Sequence, residues 1–494
     1  MAHLTIPLPA RPADHSLAPP RSINPPHFPL TVQADPSRPV PSRPAVSPPR
    51  AHPKTSQQME IIIVGAGIAG LSLALALARS RHRVVVLEAA PALAELGAGV
   101  QMTPLAMRYL FRWGMRDDIM AASIVPEEMS VRDFRSGEVL AAIPTGAMEA
   151  RYGEPYIVVH RAVLHDLLHK HAVRAGAELR LDSKVARYDF AHGAVDLHNG
   201  TRVAADLVIA ADGEAPFLGD ANAATRPTGL AALRTMAEVA QMKADPLLAD
   251  IADLETYSSH LWIAPGKSVM AYLIKEATLF NVVLSHPDDI DMSKFTPEQY
   301  RAFARDLVKD FEVRRLIEIL LPRMQNFPVH AVPPLPRWTD PAGRFTLVGD
   351  AAHAMAFYLS MGVSMAVEDA VSLVTVLDLA CPATCGGGGS GGGAVDHDKL
   401  KTALTVFEHA RKERVHIVQD ASLHGGNMLH VEDAAARDKV YAAMRADGLH
   451  DSDVSEATLA TESLTYGLAD KRVRDWCFAY DPVKYIKECY EKVA

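Results

Sequence analysis

Cysteine is scarce in this chain of 494 residues: only Cys381, Cys385, Cys477 and Cys489 occur, all toward the C-terminal end. So few, so clustered, exclude a disulfide framework, and they lack the paired spacing of metal ligands, so no metal is expected. Cys381 and Cys385 flank Pro382 beside a glycine tract and read as loop residues rather than a redox pair. Excess positive charge is missing too. Lys and Arg total 50 against 59 Asp and Glu, a formal net charge of -9, whereas a nucleic-acid partner would need a basic surface to displace counterions. Small molecules are the expected partners, and the thiol usage fits a reducing, cytoplasmic setting. Long apolar runs are almost absent. The eighteen residues Ile61 to Ala78 reach the lower limit for a membrane span, but three glycines and a following strand argue against one. No secretory apolar segment precedes it.

With 49% hydrophobic and 22% charged residues, the chain has material for a large core or two domains. Two stretches stand outside that material. Fifteen of the 34 prolines lie before Lys54, so residues 1–58 are expected to be a disordered, Pro-rich extension. Their proline density forbids the amphipathic helix of a transit peptide. Residues 381–398, CPATCGGGGSGGGAVDHD, read as a flexible glycine-rich loop between helices.

Ile61 to Gly70, IIIVGAGIAG, reads as a short buried strand breaking into glycines that open a helix. Gly65 permits the tight turn, Gly67 lets the main chain approach a pyrophosphate, and Gly70 lets the helix Leu71 to Ala78 pack on the strand. The unpaired amides and dipole of that helix N-terminus favour the phosphates. Glu88 ends the next apolar strand, RVVVLE, eighteen residues beyond Gly70, where a carboxylate can accept hydrogen bonds from a ribose. The unit is a βαβ dinucleotide site.

Two further strands end in a carboxylate beside glycine: ADLVIAADG, Ala205 to Gly213, and RFTLVGDAAH, Arg344 to His353. Parallel strands deliver ligand-binding groups at their carboxyl ends, so Asp212 and Asp350 could meet at one crevice. Alternatively, each is a strand-to-helix turn with an Asp cap. Together with the GAG of Gly97 to Gly99, HRAVLH at His160 to His165 and SMGVSMAVEDA at Ser360 to Ala370, the set resembles the group A flavoprotein aromatic monooxygenases, close to the salicylate-hydroxylase-like members. FEHARKER at Phe407 to Arg414 and Arg437-Asp438 are similar to that family's closing helical segment.

The resemblance implies an α/β fold in which a Rossmann-like FAD-binding domain (59–230 and 336–380) is interleaved with an antiparallel-sheet substrate domain (231–335). A helical segment (399–494) follows. It implies that Glu88 holds the adenosine ribose, that Asp350 serves the ribityl or pyrophosphate portion, and that Arg161 supports the cofactor from the side. Asp212 belongs to the same cofactor set. Gly99 and Val100 would run beside the flavin, and Gly362 and Val363, just before the EDA helix, would turn amides toward its ring. NAD(P)H would reduce the flavin and O2 would then form a C4a-hydroperoxide whose distal oxygen passes to an electron-rich aromatic ring. Arg234, ending PTGLAALR, is the candidate cation that favours an ionised phenol. An ordinary surface arginine remains the alternative. The substrate sheet is sketched by Arg234 to Val239, His260 to Ile263, Ser268 to Ile274 and Phe280 to Ser285. Trp262 and Tyr272 are pocket candidates that could equally be core, and His353 reads as structural rather than as a base.

Four departures from the family pattern stand out. EAPFLGD follows Gly213 as though residues were deleted, which bears on nicotinamide handling; Phe357 and Met361 make the region over the flavin more apolar. Ala264, Pro265 and Ser268 replace a polar substrate contact, and Ala89 stands where an arginine is common. A bulky, polyketide-like phenol of secondary metabolism suits Phe357 and Met361 better than a small benzoate. Epoxidation, oxidative dearomatisation or cyclisation on the same fold, or FAD binding without turnover, are the competing readings. A monomer or homodimer is expected.

Overall fold

A computed structural model describes residues 58–93, 98–213, 225–246, 248, 257–314, 324–381, 395–445 and 467–493. The extension up to residue 57, Gly97, the stretch EAPFLGD and most of the glycine tract lie outside the described residues. The apolar run at Ile61 divides into a strand, Glu60–Val64, and a helix, Ile68–Arg79. Among the described residues no helix is long and apolar enough to cross a membrane.

Five parallel strands form the first sheet, in the order Phe345–Leu347, Leu207–Ala210, Glu60–Val64, Arg83–Leu87, Glu178–Arg180. Their unbroken Val, Ile and Leu runs suit strands covered on both faces. Helix Ile68–Arg79 is buried from Ile68 through most of its length because it packs between Arg161–Arg174 and Gly362–Ala380. A small antiparallel sheet, Val185–Asp189, Ala194–Leu197 and Arg202–Ala204, sets Tyr188 and Phe190 edge-on against Phe345.

Gly65 and Gly70 are explained by close approach. Gly65 sits at φ +100°, and a Cβ there would lie 2.6 Å from the carbonyl oxygen of Ala211; a Cβ on Gly70 would lie 2.0 Å from the oxygen of Gly65. No other residue fits either place without moving the backbone.

The second large sheet has seven strands: Gln325–Ala331, Arg226–Glu238, Leu279–Pro287, Lys267–Ile274, Ser259–Ala264, Met129–Asp133 and Val139–Ile143. All neighbours are antiparallel except Ser259–Ala264 with Met129–Asp133, which is parallel. The four expected strands are present, but the sheet also recruits two from far upstream and its longest strand starts at Arg226. A parallel partner needs a long connection, which local patterning cannot reveal. Trp262 is buried in this sheet's core, its Nε1 donating to Glu312 at 3.0 Å.

Among the described residues the C-terminal segment forms the helices His397–Leu429, Ala434–Arg445, Lys471–Phe478 and Pro482–Glu491. A buried ionic network ties them to the first sheet. Asp369 accepts from the amide of Gly349 at 2.9 Å and from Arg411 Nε at 2.8 Å, and bonds His353 Nε2 at 2.6 Å. Glu368 accepts from Arg411 at 2.6 Å and from Arg414 at 2.8 and 3.1 Å. Arg414 also donates to the carbonyls of Trp476 and Cys477 and stacks over Tyr480, 3.7 Å from the ring centroid. His353 is therefore structural. Burial alone would raise Asp369, but His353 and Arg411 together hold it below the usual carboxylate range.

Two outcomes follow from this packing. Arg411→Met leaves two buried carboxylates facing one guanidinium and should cost about 3–5 kcal/mol in denaturant unfolding; an unchanged midpoint would show the network to be dispensable. His82 has both ring nitrogens unpartnered among the described residues, and burial lowers it from 6.5 to about 4. Between those values the unfolded chain binds the proton that the folded chain refuses, so stability should fall as pH drops through that window. His82→Leu should flatten the fall when unfolding midpoints at pH 7 and pH 5 are compared.

Candidate active site

The carboxyl ends of the parallel strands and one face of the seven-stranded sheet enclose a cavity of about 660 Å³. Of the residues read from the sequence as cofactor or catalytic positions, Gly65, Gly67, Glu88, Gly99, Val100, Arg161, Asp212, Arg234, Asp350, Gly362 and Val363 line it, whereas Gly70 packs beneath Gly65 and the pocket candidate Trp262 lies in the sheet core.

At one end stand Gly65, Gly67, Glu88, Asp212 and Gly213. Gly67 is the N-cap of the Ile68–Arg79 helix, with no side-chain cap and nothing within 4 Å of where a Cβ would sit. That open, amide-rich approach is what a pyrophosphate needs. Glu88 accepts from the amides of Ala66 and Ala90, both at 2.8 Å, which fixes its carboxylate beside the cavity. A carboxylate has about four lone-pair sites, so acceptor capacity remains for a ribose. Asp212 is held by the hydroxyl of Tyr188 at 2.7 Å.

Midway, Arg161 begins the Arg161–Arg174 helix, its amide bonded to the carbonyl of Ala98 at 2.8 Å. Burial lowers the Arg161 guanidinium, and the charge of Asp350 opposes that shift. Gly99 donates its amide to Asn281 Oδ1 at 2.8 Å, and a Cβ at Gly99 would strike the ring of Tyr272 at 2.5 Å. Gly362 and Val363 do not precede the EDA helix but open it, over Gly362–Ala380. Here too the N-cap, Met361, supplies no side-chain cap, and nothing lies within 4 Å of a Cβ on Gly362. Two uncapped helix N-termini thus face one cavity, an arrangement that fits a dinucleotide with negative charge at both its pyrophosphate and its ring.

At the far end the walls turn apolar. Val131, Ile143, Leu261, Met270 and Val283 line it with Phe357 and Leu429. Met361 does not; it is 1% exposed and belongs to the core, because the chain turns it inward as the helix begins. Arg234 reaches this chamber between the rings of Phe327 and Phe357, 5.6 and 5.9 Å from their centroids. Its buried Nε has no hydrogen-bond partner, and among the described residues no carboxylate pairs with it. Burial lowers this guanidinium, yet arginine stays charged in proteins. Tyr272 lines the chamber as well, and burial raises its phenol.

Several lining residues escaped sequence reading. Gln101 accepts from the hydroxyls of Tyr156 (2.9 Å) and Ser360, leaving its amide nitrogen buried without a partner. Ser360 holds φ +53°, a strained conformation for serine. Tyr358 lies between two recognised motifs and Ser360 opens the second of them, which was the available signal. Ser285 and Lys184 carried none, and Ser268, read only as standing where a polar substrate contact is lost, in fact lines the cavity.

Residues 58–385 match the model of the FAD binding domain. The FAD-dependent monooxygenase ntnJ of Nectria sp is 32% identical over 405 residues, covering 78% of this chain and 88% of the relative. The 3-hydroxybenzoate 6-hydroxylase 1 of Aquipseudomonas alcaligenes is 32% identical over 327 residues, covering 63% of this chain and 79% of that protein. A salicylate hydroxylase solved as a substrate complex superposes with a TM-score of 0.66 at 19% identity, covering 88% and 98% of the two chains, and so shares the fold. A glycine-bounded approach to one helix, a second uncapped helix facing the same cavity, and these likenesses converge: the chain belongs to the FAD binding domain family and is an FAD-dependent monooxygenase of the aromatic-hydroxylase type.

Proposed function

We propose that this enzyme uses NAD(P)H and O2 to hydroxylate a bulky phenol held ionised by Arg234. FAD, when bound, supplies the redox chemistry, taking a hydride from NAD(P)H and delivering one oxygen atom of O2 to the ring. The chain's own residues do the rest. Gly67, Glu88, Asp212, Arg161 and Asp350 would hold the dinucleotide, and the amides at Gly362 and Val363 would stabilise negative charge on the reduced ring without supplying a proton.

The observation that carries the substrate reading is Arg234, a desolvated cation that faces the chamber with an Nε–H donor unused. In a low-dielectric cavity such a group favours an anionic partner, and a phenolate is the electron-rich form that accepts oxygen most readily. The hydroxybenzoate and salicylate hydroxylases among the similar proteins support an aromatic acid or phenol as the class. Size argues for more than a single small ring. Arg234, Val283, Met270, Leu261 and Val131 pair in succession across five strands, a floor about 19 Å wide at the usual strand spacing. Phe357 closes over its Arg234 edge, which suits a polyketide-like phenol.

Adding electron-rich phenols to the FAD-loaded enzyme should stimulate NAD(P)H oxidation and give a product one oxygen atom heavier by mass. Arg234→Ala should lower kcat/KM by about 10- to 100-fold, the worth of one charge-assisted hydrogen bond, while flavin content persists. Unchanged kinetics would return Arg234 to a packing role. Asp350→Ala should purify with little flavin; a fully yellow variant would remove Asp350 from the cofactor set.

A further inference from the structure

Strand register lets the chamber floor be read in rows, because side chains two residues apart share a face. The middle row is Arg234, Val283, Met270, Leu261 and Val131. Two residues toward one end, Asn281 pairs with Tyr272, and both touch Gly99 on the cofactor side. Two residues toward the other end, Ser285 pairs with Ser268, and both line the cavity. An aliphatic floor therefore ends in a hydroxyl row on the side away from the cofactor.

Two aromatic residues complete that end. The hydroxyls of Tyr358 and Ser285 are 2.5 Å apart, His430 Nε2 bonds Ser268 Oγ at 2.9 Å, and the Tyr358 and His430 rings meet edge-on with centroids 5.4 Å apart. Gly426 makes room for this arrangement, since a Cβ there would lie 2.5 Å from the Tyr358 ring. Burial raises Tyr358 to about 12 and lowers His430 to about 4, so the cluster is uncharged near neutral pH. Of the two hydroxyl protons in the Tyr358–Ser285 pair only one is used between them, so a donor and several lone pairs remain for a ligand.

We propose that the substrate carries a second, uncharged oxygen, a hydroxyl or a carbonyl, and that Ser268, Ser285 and Tyr358 receive it. The proposal rests on the reading of Arg234 as the cation for the ionised phenol. Ser285 is the diagonal neighbour of Arg234 through Val283, about 7–8 Å away, so the two oxygens lie across a ring from one another rather than on adjacent carbons. An uncharged hydroxyl cluster recognises a neutral oxygen; among the described residues no cation stands in this row to meet a carboxylate.

The test uses the FAD-loaded full chain and two probes of nearly equal shape, 4-hydroxyacetophenone and 4-ethylphenol, titrated while the flavin absorbance is followed. Ser285→Ala and Ser268→Ala should each weaken the ketone about five- to tenfold, the worth of one hydrogen bond, and move 4-ethylphenol by no more than about twofold. Tyr358→Phe, which keeps the ring, should act in the same direction. Flavin content and melting temperature establish that each variant is folded. Arg234→Ala should weaken both probes alike. If the serine and tyrosine variants weaken both probes equally, or neither, while Arg234→Ala still weakens both, the second-oxygen site is overturned and the phenol reading stands. If neither probe binds, or Arg234→Ala affects neither, the phenol reading falls and this inference with it.

Discussion

The carboxylate of Asp369 is the constraint on which the site's architecture depends. It receives the amide of Gly349, which caps the short helix Asp350–His353 just beyond the strand Phe345–Leu347, bonds His353 at the end of that helix, and meets Arg411 from the long C-terminal helix. It also sits in the Gly362–Ala380 helix whose first turn faces the cavity. One buried group thus fixes the relative placement of the two elements that would meet the middle and the ring of a dinucleotide. Burying this much charge is unfavourable by itself and is tolerated because two carboxylates meet two guanidiniums with dense hydrogen bonding. The return is rigidity at positions where a small displacement would misdirect a helix N-terminus.

The seven-stranded sheet contributes a different kind of precision. Its register sets cofactor-side residues, an ionic position and a polar end at two-residue steps along one face, so distance from the reacting centre is encoded in strand position. The long C-terminal helix, through Gly425 and Leu429, and the short turn Gly467–Ala469, through Leu468, then line the chamber. The chamber's shape therefore comes from segments far apart in the chain, while its chemistry rests on few side chains.

Legibility in the sequence follows the same division. Gly65, Gly67 and Gly70 were readable because their roles are imposed by local backbone geometry. Asp350, Arg161, Gly362 and Val363 were readable because they sit within motifs. Arg234 was singled out only through family likeness, and the structure adds the physical reason for interest: a buried donor facing a cavity. Ser285 was invisible, and Ser268 was read only as the loss of a polar contact, because a serine in a strand acquires meaning only when register sets it opposite another. Met361 illustrates the reverse error. It is apolar and directly follows Gln101's partner Ser360, yet it turns into the core, since adjacency in sequence does not determine which way a residue faces at a helix start. The ionic network was visible as the charges of FEHARKER, but not its purpose, because nothing local pairs Arg411 with Asp369.

The claim that this chamber holds its aromatic substrate as an anion against Arg234 can be examined without turnover. The ultraviolet spectrum of 4-hydroxyacetophenone should be recorded on binding to the FAD-loaded enzyme, at a pH below the phenol's own pKa. Appearance of the phenolate band in the wild-type protein and its absence in Arg234→Ala is the result this account predicts. A phenol that binds the wild-type chamber yet remains protonated would contradict it.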